Sequence, residues 1–155
     1  MTQLTPRLKN PAEIIPEATA AVQALYGAAF KSGLAPRTIA LVHLRVSQIN
    51  GCSVCLDGGV KHAKQAGETD ERLATVAAWR EAPYFTDAER AAFELAECVT
   101  RLSDRPDPVP DPAWDAAARL HDEKAMAGLL VAIAVTNVFN RINVPTRQIA
   151  GTQTW

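Results

Sequence analysis

Cys52 and Cys55 stand three residues apart in the run Gln48-Ile49-Asn50-Gly51-Cys52-Ser53-Val54-Cys55, in a chain with one further cysteine. A thiol acts as a nucleophile through its thiolate, and the unpaired N–H groups and dipole of a helix start favour that charge. Two sulfurs so spaced across a helix start approach disulfide distance, so one can attack an oxidant and the other resolve the product. Thiol redox chemistry is therefore the first expectation. Zinc binding competes with it but needs about four ligands. Only His43, His62 and Cys98 could join the pair, with no second Cys pair and no closely spaced His pair. The third reading is that both cysteines are small buried residues.

His62 follows Cys55 by seven residues, two turns along one helix face, which permits a shared environment. His43 falls near Ile39, Val46 and Asn50 on the helical wheel. Each is a candidate acid or base, weighed against a structural histidine. Cys98, within the helical pattern of residues 93–99, reads as a buried, inert hydrophobe. His121, beside Asp122 and Glu123, reads as a capping or surface residue. Trp79, Trp114 and Tyr84 read as core or interface anchors.

The elements that must hold these residues are helical. Residues 14–30, alanine-rich and closed by Lys31-Ser32-Gly33, form a first helix with Pro16 in its first turn. Pro36 opens a second, with Ile39, Val42, Val46 and Ile49 at helical spacing and a stop at Asn50-Gly51. A third spans residues 53–66 up to Gly67, with Gly58-Gly59 weakening its middle. Thr69 caps a helix through Leu73, Val76 and Trp79, and Thr86-Asp87-Ala88-Glu89 is a capping box opening the next. Pro106, Pro108, Pro110 and Pro112 make a stiff connector, followed by a short helix over residues 114–121. A long apolar helix over residues 123–143 is expected to be buried. No run alternates with period two, so the fold is all-α, with six or seven helices.

The 155 residues suit a single domain over residues 1–155. With 48% hydrophobic and 21% charged residues the composition is globular. A net charge of -1, without a basic cluster interleaved with aromatics, argues against nucleic-acid binding. The N-terminus lacks the apolar core of a secretory signal, and the apolar stretch around Leu129 to Val135 is too short to cross a bilayer. A cytoplasmic protein without membrane contact is expected, where a close Cys pair is more often catalytic or metal-binding than structural. No flavin or nicotinamide signature occurs, so no bound cofactor is expected. Reducing power would arrive through a partner protein or a carrier dithiol.

The stretch Leu44-Arg45-Val46-Ser47-Gln48-Ile49-Asn50-Gly51-Cys52-Ser53-Val54-Cys55-Leu56-Asp57, followed by Ala66-Gly67-Glu68 and Ala78-Trp79-Arg80, resembles the AhpD-like alkylhydroperoxidase branch of the carboxymuconolactone decarboxylase family. The resemblance continues through Phe85-Thr86-Asp87-Ala88-Glu89-Arg90 and Asn137-Val138-Phe139-Asn140-Arg141-Ile142-Asn143. It implies an AhpD-like helical core that forms homo-oligomers, trimers or hexamers. It also implies an antioxidant, peroxiredoxin-type cycle on a small organic hydroperoxide. A thiolate attacks the peroxide, becomes a sulfenic acid, and is resolved to a disulfide that a dithiol reductant reopens. On this chain the resemblance makes Cys55 the deeper, activated thiol and Cys52 the more exposed partner.

The chain departs from the family pattern at two positions. Relatives usually carry a glutamate twelve residues before the first motif cysteine and a histidine four residues after the second, joined as a proton relay. Here those positions are Ala40 and Gly59. General acid/base help is worth about 10²–10⁴ in rate, so a slow enzyme is one expectation and a redox-responsive scaffold without turnover another. His43, one turn beyond Ala40, and His62, one turn beyond Gly59, are candidates for the missing base, and Asp57 and Arg45 are further ones. Arg45 could equally pair with a carboxylate to hold helices together. Lactone decarboxylation, the chemistry of the family's name-giving members, does not depend on a Cys pair, so the intact C-x-x-C speaks against it.

Overall fold

Proline in the first turn and glycine just past the last set many of the helix boundaries. The computed structural model describes residues 4–152. Helix α1 (Pro11–Ile14), α2 (Pro16–Ala29) and α3 (Pro36–Asn50) each carry proline in the first turn, where its missing N–H costs nothing. Gly51, at φ 67°, ends α3 in the left-handed conformation that glycine adopts without strain. α4 (Ser53–Gln65) follows at once. α5 (Asp70–Thr75), capped by the Thr69 side chain, runs into a 3₁₀ turn at Val76–Ala78. α6 (Asp87–Thr100) starts in a complete Thr86/Glu89 capping box, and α7 (Asp111–Ala118) and α8 (Glu123–Asn143) complete the set. No strand occurs among the described residues.

α3 is the hub: it packs on α4, α6 and α8, while α2 lies along α8. Its Ile39, Leu41, Val42, Leu44 and Val46 join Leu129, Ala132 and Ile133 of α8 and Phe93 and Leu95 of α6 in one core. Burial of each large apolar side chain contributes about 1.5–3 kcal/mol. Gly128 lets α8 close onto the α2–α3 turn, since a Cβ there would lie 2.0 Å from Ser32 Oγ. Arg45 bridges α3 to α6 through Glu97 at 2.7 Å, and Trp79 Nε1 donates to the same carboxylate at 2.9 Å. Burial pushes the Glu97 carboxyl up, but donation from Trp79 and Arg45 outweighs it and holds the group below its ordinary value.

The all-α expectation holds, and the differences are local. The described residues form eight α-helices rather than six or seven, because a one-turn helix capped by Asn10 precedes Pro16. α7 begins three residues before the expected 114, with Pro112 inside its first turn rather than in the connector. α8 is buried on one side only: Leu129, Ile133 and Val135 face the core, while Ala134 and Val138 are exposed. At 21 residues and a mean hydropathy of 1.6 it has the length and composition of a membrane span, contrary to the reading from residues 129–135, yet half of that window packs inside the bundle. Trp79 is a core residue, its ring tilted against Phe93 with centroids 5.6 Å apart, whereas Tyr84 and Trp114 are exposed.

Candidate active site around the cysteine pair

The turn at Gly51 brings the end of α3 and the start of α4 together. The Cys52 N–H donates to Ser47 O at 3.0 Å, and Cys52 becomes the N-cap of α4. Its sulfur takes the role an oxygen usually plays there, accepting from the Cys55 N–H at 3.4 Å. Cys55 thus sits in the first turn of α4, where N–H groups and dipole favour a thiolate. Both cysteines are buried, Cys52 at 1% exposure and Cys55 at 2%. Cys52, expected as the more exposed partner, is as closed off as Cys55, since it caps α4. Both thiols are free rather than joined.

α8 supplies the polar wall. Asn137, Asn140 and Asn143 recur every three residues, so they share one face of an otherwise apolar helix. Asn143 Nδ2 donates to Cys55 Sγ at 3.4 Å. Asn140 Nδ2 donates to Ser47 Oγ at 3.2 Å, and Asn50 Nδ2 donates to both Asn140 Oδ1 (2.8 Å) and Asn137 Oδ1 (3.0 Å). Val54 and Phe139 pack on the cysteines, and Tyr26 stands against Phe139 at 6.1 Å and His43 at 6.0 Å.

The two thiols are shifted in opposite directions. Donation from the Cys52 thiol lowers Cys55 to about 7 against the upward push of burial, helped by Asn143, Asn140 and Ser47. Cys52 is driven the other way, first by that same hydrogen bond to Cys55 and then by burial. The surroundings therefore favour the thiolate at Cys55 and the protonated thiol at Cys52.

His43 lies beside the pair without touching a sulfur. Its Nε2 meets Cys55 O at 3.2 Å and its Nδ1 meets Thr136 Oγ1 at 3.2 Å. The carbonyl can only accept, so Nε2 carries the proton in this arrangement. Burial holds His43 down to about 4, so the ring is neutral near pH 7. The imidazole occupies the space beside Gly59, where a Cβ would lie 2.9 Å from its Cδ2. His62 is exposed on α4 and is not brought into contact with either cysteine. Ala40 packs against the core, leaving no carboxylate where the family pattern has one. Asp57 pairs with Lys61 at 2.7 Å and Arg45 with Glu97, so both are engaged in ion pairs. Cys98 is half-buried rather than buried, with Arg105 Nη2 at 3.8 Å from its sulfur. His121 Nε2 bonds Ala88 O at 3.1 Å and links α8's start to α6. Among the described residues no three His, Cys, Asp or Glu side chains converge as a metal site would need.

Ser47, Asn50, Asn140 and Asn143 were not singled out by sequence reasoning as site residues. Their signal was available: three amides on one face of a helix whose other residues are mostly apolar must find partners when buried.

The sequence profile of the carboxymuconolactone decarboxylase family matches residues 16–97, which carry α2 to α6 and both cysteines. The chain belongs to this family. It is 32% identical over 132 residues to the uncharacterized protein YdfG of Bacillus subtilis, covering 85% of this chain and 88% of that one. The crystal structure of an Agrobacterium tumefaciens protein of unknown function, suggested to be the antioxidant defence protein AhpD, superimposes with a TM-score of 0.88 at 34% identity. It covers 96% of this chain and 100% of that one. This places the chain with the AhpD-like branch of the carboxymuconolactone decarboxylase family. The debrominase Bmp8 shares the fold, with a TM-score of 0.78 at 17% identity over 98% of this chain and 94% of its own.

Proposed function

We propose that this protein is a thiol-dependent peroxidase acting on small organic hydroperoxides, with Cys55 as nucleophile and Cys52 as resolving thiol. The observation that carries the reading is the asymmetry of the pair: Cys55 lies in the first turn of α4 under amide donation from Asn143, while Cys52 caps the helix and keeps its proton. The Cys55 thiolate attacks the terminal peroxide oxygen, the O–O bond breaks, and the alkoxide leaves to be protonated as the alcohol. The resulting sulfenic acid is attacked by the Cys52 sulfur, forming the disulfide and releasing water. An external dithiol then reduces the disulfide, itself becoming oxidised, and restores both thiols.

His43 enters this cycle as a neutral imidazole fixed to the Cys55 carbonyl, a group that holds the start of α4 in place rather than a base on the sulfur. His62, exposed, has no role in the proposed chemistry. The exposed apolar side chain of Val138, on the outer side of α8, suits the homo-oligomer we propose along with this function.

The test is dithiol-dependent consumption of an organic hydroperoxide by wild type beside Cys55→Ser. Turnover in the wild type that vanishes in the variant supports the peroxidase. A second reading, a redox-responsive scaffold, is favoured by Ala40 and Gly59, which leave no proton carrier on either sulfur. It predicts a Cys52–Cys55 disulfide on oxidation with no turnover.

A further inference from the structure

A chain of amides leads from the start of α1 to the sulfur of Cys55, and each member fixes the orientation of the next. Asn10 is the N-cap of α1, and its Oδ1 accepts from the Ala12 N–H at 2.9 Å. That bond leaves Asn10 Nδ2 as the free end, and it donates to Asn143 Oδ1 at 3.4 Å. With its oxygen so engaged, Asn143 must present Nδ2 to Cys55 Sγ, as it does at 3.4 Å. An amide turned the other way would set an oxygen lone pair against the sulfur, disfavouring its negative charge.

We propose that Asn143 holds the Cys55 thiolate by amide donation, and that Asn10, locked by the helix cap it makes, is a positioning residue that keeps the Asn143 amide turned donor-first toward the sulfur. The inference concerns the same site as the proposed peroxidase and gives it a thiolate-stabilising device that needs no histidine–glutamate relay. The Cys52 thiol also donates to Cys55, but it is consumed when the disulfide forms, whereas the amides keep their protons at every stage. They also do not titrate.

The groups that face Cys55 from the surrounding elements are few. Cys52 lies on its own α4, His43 meets its carbonyl from α3, and Tyr26 of α2 stands behind His43. Ser47 of α3 and Asn140 of α8 add neutral hydrogen bonds. Arg141 of α8 is directed to Asn137 Oδ1 at 2.6 Å, away from the sulfur. The second amide chain, Asn50 to Asn140 to Ser47, therefore works in the same neutral manner.

The test is the thiolate absorbance of the reduced full-length protein near 240 nm titrated against pH, with Cys55→Ser subtracted to isolate the Cys55 step. Absorbance needs no reagent to reach a buried sulfur. Asn143→Leu removes the donor. Asn10→Asp keeps a capping oxygen for Ala12 but replaces the outer amide donor with an acceptor, which turns the Asn143 amide around. Each is expected to raise the Cys55 midpoint by about one pH unit. The Asn10→Asp effect should persist in about 0.5 M salt, where a purely Coulombic effect of a half-exposed charge is screened.

An unmoved midpoint in folded Asn143→Leu overturns the proposal. A midpoint that moves there but not in Asn10→Asp overturns the positioning role of Asn10. Should Asn143→Leu fail to fold, Asn10→Asp decides alone. Wild-type peroxide turnover is measured on the same preparations: its absence with shifted midpoints sinks the peroxidase reading and leaves the amide device standing, whereas turnover with unshifted midpoints does the reverse.

Discussion

The imidazole of His43, on α3, fills the space into which a side chain at Gly59, on α4, would project. A Cβ at Gly59 would lie 2.9 Å from His43 Cδ2, 3.3 Å from its Nε2 and 2.8 Å from Leu44 Cδ2. The volume that the family pattern gives to a histidine on α4 is thus occupied by a histidine from the neighbouring helix, and the two positions are energetically linked. Gly59→Ala alone is expected to destabilise by about 1–3 kcal/mol through overpacking. In a His43→Ala background the same substitution should cost less, giving a coupling of about 1 kcal/mol in a double-mutant cycle by urea denaturation. Strict additivity would show that the ring does not hold this place in solution.

Stability should fall on mild acidification because of His43. Burial lowers this group from 6.5 to about 4, so the unfolded chain binds a proton near 6.5 that the folded chain refuses until about 4. The stabilisation is complete above about pH 6.5 and is lost as pH drops through that window, by about 3 kcal/mol in all. Thermal melts between pH 7 and 4 should show a shallower decline for His43→Gln than for wild type. Equal slopes would remove His43 from the buried, neutral state.

If the proposed peroxidase is correct, kcat/KM for a hydroperoxide should rise with pH through about 7, following ionisation of Cys55. His43, already neutral there, adds no second limb between about pH 5 and 8. A profile measured for wild type and His43→Ala should therefore keep the same midpoint. A midpoint that moves in His43→Ala would give the ring a direct part in activating the thiol.

Glu97 should matter to stability and not to the thiols. It takes Arg45, Arg80 and Trp79 at once with its own side chain 10% exposed. Glu97→Ala would leave Arg45, itself 13% exposed, without its carboxylate, a loss of about 3–5 kcal/mol for a buried pair. Denaturation should report that loss while the Cys55 titration of the folded variant stays in place. A stable variant with a shifted thiol would place Glu97 in the site instead.

The helices were legible in the residues because their determinants are local: Pro36 and Gly51 bound α3, Thr86 and Glu89 close their capping box, and Thr69 starts α5. The short α1 was not, since Pro16 marks a break, and the turn before it shows in the bonds from Ala12 N to the Asn10 side chain and from Ile14 N to Asn10 O. The sequence alone determined that two thiols stand across a helix start and that the histidine and glutamate of the family pattern are missing. Only the tertiary structure decided which groups surround the sulfurs. Asn143 lies 88 residues from Cys55 along the chain and Asn10 another 133 from Asn143, separations at which spacing carries no information about contact. His43 likewise reaches the place of a side chain at position 59 because α3 and α4 pack closely at a glycine, and the identity of that glycine reports room, not what fills it.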